Sequence, residues 1–199
     1  MNKLLLFFCL LASTSVFSDL KSDLDNQINP LMDKVIEWRH DIHQNPELSN
    51  REYRTAKKIE AHLRSLGIKV ETKIDYTGVV GLIEGALPGP NIALRADMDA
   101  LPVVEKTGLP FASKDKTKYL GQTVGIMHAC GHDAHVAILM GVAEFLAKNK
   151  DQLKGNVMLI FQPAEEGPPE GENGGAKMML EEGIFETYDP EVIFGLHVG

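Results

Sequence analysis

Three short apolar runs constrain this fold most: residues 79–83 (VVGLI), 92–96 (IALRA) and 157–161 (VMLIF). Each is too short for an ordinary helix, and Gly, Pro, Asp or Asn stands at its borders, which suits strands buried on both faces. Segments of helical period separate them. Residues 19–47 read as a helix, with Ile28, Leu31, Met32, Val35, Ile36 and Trp38 near a 3.6-residue repeat and Asn45-Pro46 as its end. Ser49 to Glu52 has the spacing of a capping box. It would open a second helix running to Leu66, with Gly67 as terminator. Ile68 to Ile74 alternates like a half-buried strand. Thr107 to Gly125 reads as a polar loop, and Asp133 to Lys148 as a helix capped by Asp133. Gly167 to Gly175 is turn-rich, Ala176 to Glu182 a short helix and Val192 to Leu196 a last strand. Strands alternating with helices imply an α/β sandwich around a largely parallel sheet.

The polar residues fall on this map in a pattern. Arg95, Asp97 and Asp99 lie at or just past the end of one strand, Glu165 and Glu166 past a second, His197 past a third. Carboxyl ends of strands are where open α/β sheets build their sites. Between them lies residues 128–135, HACGHDAH, which packs three imidazoles, a thiol and a carboxylate just before an apolar helix. Thiolate and neutral imidazole are ligands that zinc-like ions prefer. Cys130 and His132 are one residue apart, so on a loop both can face one cluster. A closed structural zinc site would use four sulfur or nitrogen ligands. Here carboxylates join the set and one acid is left over, which suits an open catalytic site. Asp97 and Asp99 project to one side in an extended chain and could orient a ligand imidazole. His128 and His135 stay ambiguous, and surface or capping roles are the default for His40, His43 and His62.

Composition sets the outer limits. With 199 residues, 44% hydrophobic and 24% charged, the chain is sufficient for one packed domain. Its net charge of −8, without a Lys/Arg run, lacks the basic footprint that nucleic-acid binding needs. Lys3 followed by Leu4 to Ala12 reads as a secretory signal cleaved after Ser18, giving a secreted or periplasmic protein with no membrane span in the mature part. Cleavage would remove Cys9 and leave Cys130 as the only thiol, where metal ligation would protect it.

Five ordered segments, residues 39–49 (RHDIHQNPELS), 93–102 (ALRADMDALP), 127–133 (MHACGHD), 161–167 (FQPAEEG) and 194–197 (FGLH), resemble the amidohydrolase branch of the M20 metallopeptidases. That branch holds hippurate hydrolases, N-acyl-amino-acid amidohydrolases and auxin-conjugate hydrolases. The resemblance implies a three-layer α/β sandwich of the phosphorylase/hydrolase-like zinc exopeptidase type. It also implies two divalent ions (Zn, Mn, Co or Ni), with Cys130 bridging and His132, Glu166 and His197 as further ligands. Glu165 would be the general base for a metal-activated water, and Asp99 would support the centre. Substrates would be small N-acyl amino acids. Members of the family are roughly twice as long. Residues 19–199 are therefore expected to be the N-terminal part of the catalytic domain, truncated, without the inserted domain that would form a homodimer and without a final ligand histidine. Two other readings stay open: another M20 deacylase or carboxypeptidase, which the Cys130-Gly131-His132 arrangement argues against, and an inactive periplasmic metal-binding fragment.

Overall fold

A computed structural model describes residues 21–198; the signal reading of residues 1–18 lies outside them. Residues 21–28 are helical, and a 3-10 turn, Asn29–Leu31, leads into α1 (Met32–Gln44). The chain continues through α2 (Tyr53–Ser65), β1 (Lys69–Ile74), β2 (Gly78–Glu84), β3 (Leu87–Asp97), β4 (Lys116–Tyr119) and β5 (Gln122–Gly125). It ends with α3 (His132–Lys148), β6 (Lys154–Gln162), α4 (Ala176–Glu181), α5 (Ile184–Tyr188) and β7 (Val192–Gly195).

Five strands form one sheet in the order β1-β2-β6-β3-β7. β6 is central, and its side chains alternate between two cores. Val157, Leu159 and Phe161 pack with Ile59 and Leu63 of α2 and with Val136, Met140 and Ala143 of α3. Met158 and Ile160 face Met179, Ile184 and Tyr188 on α4 and α5. Helices therefore cover both faces, and the three-layer α/β sandwich expected from the sequence is present. The sheet itself is mixed. β3 runs parallel to β6 and β7, while β2 is antiparallel to both β1 and β6. Parallel pairing is confined to the half that bears the polar residues.

Local expectations fail where tertiary contacts outbid local ones. The capping box does not form: α2 begins at Tyr53, and the carboxylate of Glu47 accepts the N–H groups of Arg54 and Thr55, both at 2.9 Å. Ser49 and Glu52 turn inward instead. Asp133 does not cap α3 either. The helix starts at His132 behind Gly131, and Asp133 accepts hydrogen bonds from Arg39 at 3.1 Å and His43 at 2.9 Å. The polar stretch before residue 125 contains the β4–β5 hairpin, turned by Leu120 and Gly121 at φ of 48° and 78°. A two-residue hairpin turn of type I′ needs positive φ at both positions, and a leucine there conceals the turn.

β7 is the sheet's edge among the described residues. Val192, Ile193 and Phe194 are 47%, 49% and 59% exposed, and Leu196 and Val198 beyond the strand are as open. An exposed apolar edge strand is a template for pairing with another chain. Expressed alone, residues 19–199 should self-associate. Lysine at both Ile193 and Phe194 should shift the protein toward monomer in light scattering; unchanged association would place the sticky surface elsewhere.

Candidate metal centre

Register brings the site residues to one edge of the sheet. Asp97 of β3 lies beside Gln162 of β6, and Arg95 of β3 beside Gly195 of β7. The loops following these three parallel strands thus emerge side by side. They carry Asp99, the Glu165–Glu166 pair and His197, as the sequence pattern implied. Opposite them is the N-terminus of α3. Gly131 sits between Cys130 and His132 at φ +85°, a conformation that glycine adopts without a Cβ penalty. An added Cβ there would also meet Val198 at 3.0 Å. This turn aims the thiol and the imidazole into one cluster.

Cys130 Sγ lies 3.7 Å from His197 Nε2, and Cys130, His132 and His197 form one group able to hold a metal ion. A second group combines Asp97, His132, Glu165 and His197. His132 is common to both, and it is fully buried. Its Nδ1–H donates to the backbone carbonyl of Asp99 at 2.7 Å, which fixes the tautomer and leaves Nε2 facing inward. Nε2 has no hydrogen-bond partner, yet Glu165, Asp97 and Glu166 oxygens stand 3.5, 3.7 and 4.0 Å from it. A ring of carboxylates calls for positive charge at Nε2, which a proton supplies in the metal-free chain and a metal cation would supply in its place. Burial lowers the His132 pKa, but Asp99 and Asp97 outweigh it and push the value up to about 9. Burial, a hydrogen bond to Glu166 and the charges of Glu165 and Asp97 push the Cys130 thiol up to about 11. Surplus negative charge around sulfur, nitrogen and oxygen donors fits a divalent cation. These described residues therefore suit the metal site that the family resemblance implies.

Asp99 acts from behind. Its carboxylate accepts the N–H groups of Glu165 and Glu166, each at 3.0 Å, and the Ser49 hydroxyl at 2.8 Å. Burial alone would raise its pKa, but these bonds and His132 bring it below the usual value. His135, ambiguous in the sequence, donates from Nδ1 to Asp97 at 2.6 Å and accepts the Val198 N–H at Nε2. Arg95 holds the other Asp97 oxygen at 2.7 Å. Asp97 is thus oriented by two partners and reaches the cluster more closely than a supporting role required.

The remaining histidines divide. His40 stacks on Phe111, and His62 contacts the Met140 carbonyl at 3.0 Å. His43 departs from the surface role: it is buried, with Asp133 on one ring nitrogen and Glu105 on the other at 3.1 Å. His128 is buried beside it with neither nitrogen partnered, and burial takes its pKa down to about 4. Beside the cluster, a cleft of about 830 Å³ has Glu166 in its wall together with Leu101, Tyr119, Leu120 and Pro168. Tyr119 and Leu120 come from the hairpin that the sequence concealed.

The sequence pattern of peptidase family M20/M25/M40 matches residues 93–199. The chain belongs to this family. It is 49% identical over 181 residues to thermostable carboxypeptidase 1 of Saccharolobus solfataricus, covering 90% of this chain and 43% of that protein. It is 45% identical over 159 residues to the hippurate hydrolase of Campylobacter jejuni, covering 80% and 38% respectively. The crystal structure of the Bacillus subtilis YXEP protein, described as a dinuclear metal binding peptidase of the M20 family, superposes with a TM-score of 0.74 at 42% identity. That match covers 86% of this chain and 44% of the other. The chain spans less than half the length of these relatives. The identity to a protein named carboxypeptidase exceeds that to the hippurate hydrolase.

Ligation must displace protons here. At pH 7 both His132 and Cys130 hold theirs, so apparent Zn²⁺ affinity should climb as pH rises from 6 to 8, with about two protons released per site filled. Calorimetry in buffers of different ionisation enthalpy measures this directly. Binding without proton release would exclude both residues as ligands.

Proposed function

We propose that the intact protein hydrolyses the amide bond of small N-acyl amino acids at a two-metal centre held by Cys130, His132, Glu166 and His197. The buried, unpartnered Nε2 of His132, facing thiol, imidazole and carboxylate donors, carries this reading. Bound divalent ions supply Lewis acidity, polarising a carbonyl and acidifying water. The chain's own residues supply the rest. Glu165 is the proposed general base: its side chain remains partly exposed and comes within 3.5 Å of His132 Nε2, so it reaches both solvent and the reacting region. It takes a proton from the attacking water and returns it to the departing amine. Glu166, whose side chain also meets the Cys130 thiol, is the proposed ligand of the pair. Asp99 is a positioning residue, because it touches the backbone of both glutamates and not the reacting atoms.

The adjoining cleft supports a compact acyl substrate. Its volume and apolar residues suit an acyl chain or aromatic ring, with the scissile carbonyl directed toward Glu166. An N-acyl amino acid and a peptide with a free C-terminus present the same bond, an amide next to a carboxylate. The 49% identity to a carboxypeptidase favours the peptide as second reading. The leader-like residues 1–18 support work in the periplasm or outside the cell. Among the described residues, no helix is long and apolar enough to cross a membrane.

The test uses a full-length protein carrying this segment, loaded with Mn²⁺, Zn²⁺ or Co²⁺ and offered N-benzoyl- and N-acetyl-amino acids beside N-blocked dipeptides. Glu165→Gln should lower turnover by about 10²–10⁴-fold or more while metal content holds. Glu166→Gln and Cys130→Ser should lose metal as well. Equal metal loss from both glutamate variants would contradict the division of labour. Metal uptake without turnover of any of these substrates would contradict the enzymatic reading.

A further inference from the structure

Glu52 is fully buried, lies just before α2 and belongs to no part of the machinery above. One carboxylate oxygen accepts the Thr77 hydroxyl at 2.6 Å, from the turn between β1 and β2. The other accepts the backbone N–H of Ala164 at 3.0 Å. Ala164 immediately precedes Glu165 and has φ +49°, a region that non-glycine residues seldom occupy and that surroundings must hold in place. With Asp99 taking the next two N–H groups, three consecutive amides are held by two buried carboxylates. The loop closes on itself through the Gly167 N–H and the Ala164 carbonyl, and Gly175 packs so near that a Cβ there would lie 2.9 Å from that oxygen.

We propose that Glu52 is a positioning residue for the Glu165–Glu166 pair, acting through the Ala164 amide. Burying a carboxylate is costly, and burial takes its pKa up to about 7 against the pull of its two hydrogen bonds. A methionine or leucine would fill this volume without that cost, so packing alone does not explain an acid here. Its use is directional: it fixes the left-handed residue that leads into Glu165 and Glu166, whose carboxylates stand 3.5 and 4.0 Å from His132 Nε2. The proposal rests on the reading that this pair serves a metal centre, and hydrogen exchange tests the anchoring without relying on that reading.

Two measurements on the metal-free and Co²⁺-titrated chain test it: amide hydrogen exchange at residues 164–166, and Co²⁺ affinity followed through the thiolate absorption band. Glu52→Gln keeps an acceptor for the Ala164 N–H, and its amide can donate to the Thr77 hydroxyl, so both readouts should match the parent protein. Glu52→Ala should speed exchange at the three amides by about tenfold or more and weaken Co²⁺ binding by a similar factor, while β6 amides stay protected. If the alanine variant does not fold, Glu52→Met preserves the volume and removes the acceptors. Unchanged exchange at residues 164–166 in both would overturn the proposal. So would a Gln variant as impaired as Ala, since charge would then be acting and not geometry. Faster exchange with unaltered Co²⁺ binding would uphold the anchor and overturn its link to a metal-holding pair.

Discussion

One buried carboxylate ties the site together. Asp99 accepts the amides of Glu165 and Glu166 and the hydroxyl of Ser49, and its own carbonyl receives the His132 Nδ1–H. Four separate segments therefore meet on one residue: the turn before α2, the end of β3, the N-terminus of α3 and the loop after β6. Charge-assisted hydrogen bonds to backbone N–H groups are stronger than neutral ones, and they strengthen further where water is excluded. Losing the carboxylate would leave two amides and a hydroxyl buried without acceptors. The imidazole of His132, whose Nε2 is the centre of the cluster, would keep its bond to the Asp99 backbone carbonyl.

The rest of the sheet makes this convergence possible. β3, β6 and β7 are parallel, so their carboxyl ends fall together, and the antiparallel β1 and β2 complete the sheet on the side away from β7. Strand polarity, more than any single contact, decides that acids after one strand and a histidine after another become neighbours. α3 then delivers Cys130 and His132 from above, with Gly131 allowing the reversal between them.

How much of this could be read from residues alone follows from what each signal depends on. Apolar runs such as residues 157–161 report burial on both faces and located the strands. Charged residues just after those runs located the site. Capping depends on which acceptor wins, and this no local pattern encodes: Ser49 and Asp133 have the right chemistry for caps, yet Asp99, Arg39 and His43 claim them through tertiary contacts. Glu47 caps α2 from a position that a capping-box search does not inspect. The β4–β5 hairpin escaped because its strands, KTKY and QTVG, hold few apolar residues and its turn uses Leu120. His43 escaped because its ring partners, Asp133 and Glu105, lie 90 and 62 residues away in sequence. Glu52 carried no sequence signal except as the last residue of a capping box that does not exist.

The central claim is that this cluster binds divalent metal through the thiolate of Cys130 together with imidazole and carboxylate donors. X-ray absorption at the zinc edge of the Zn²⁺-loaded protein tests it most directly. The account predicts a sulfur scatterer near about 2.3 Å alongside nitrogen and oxygen scatterers at about 2.0–2.2 Å, and loss of the sulfur shell in Cys130→Ser. A first shell made only of nitrogen and oxygen in the unaltered protein would contradict it.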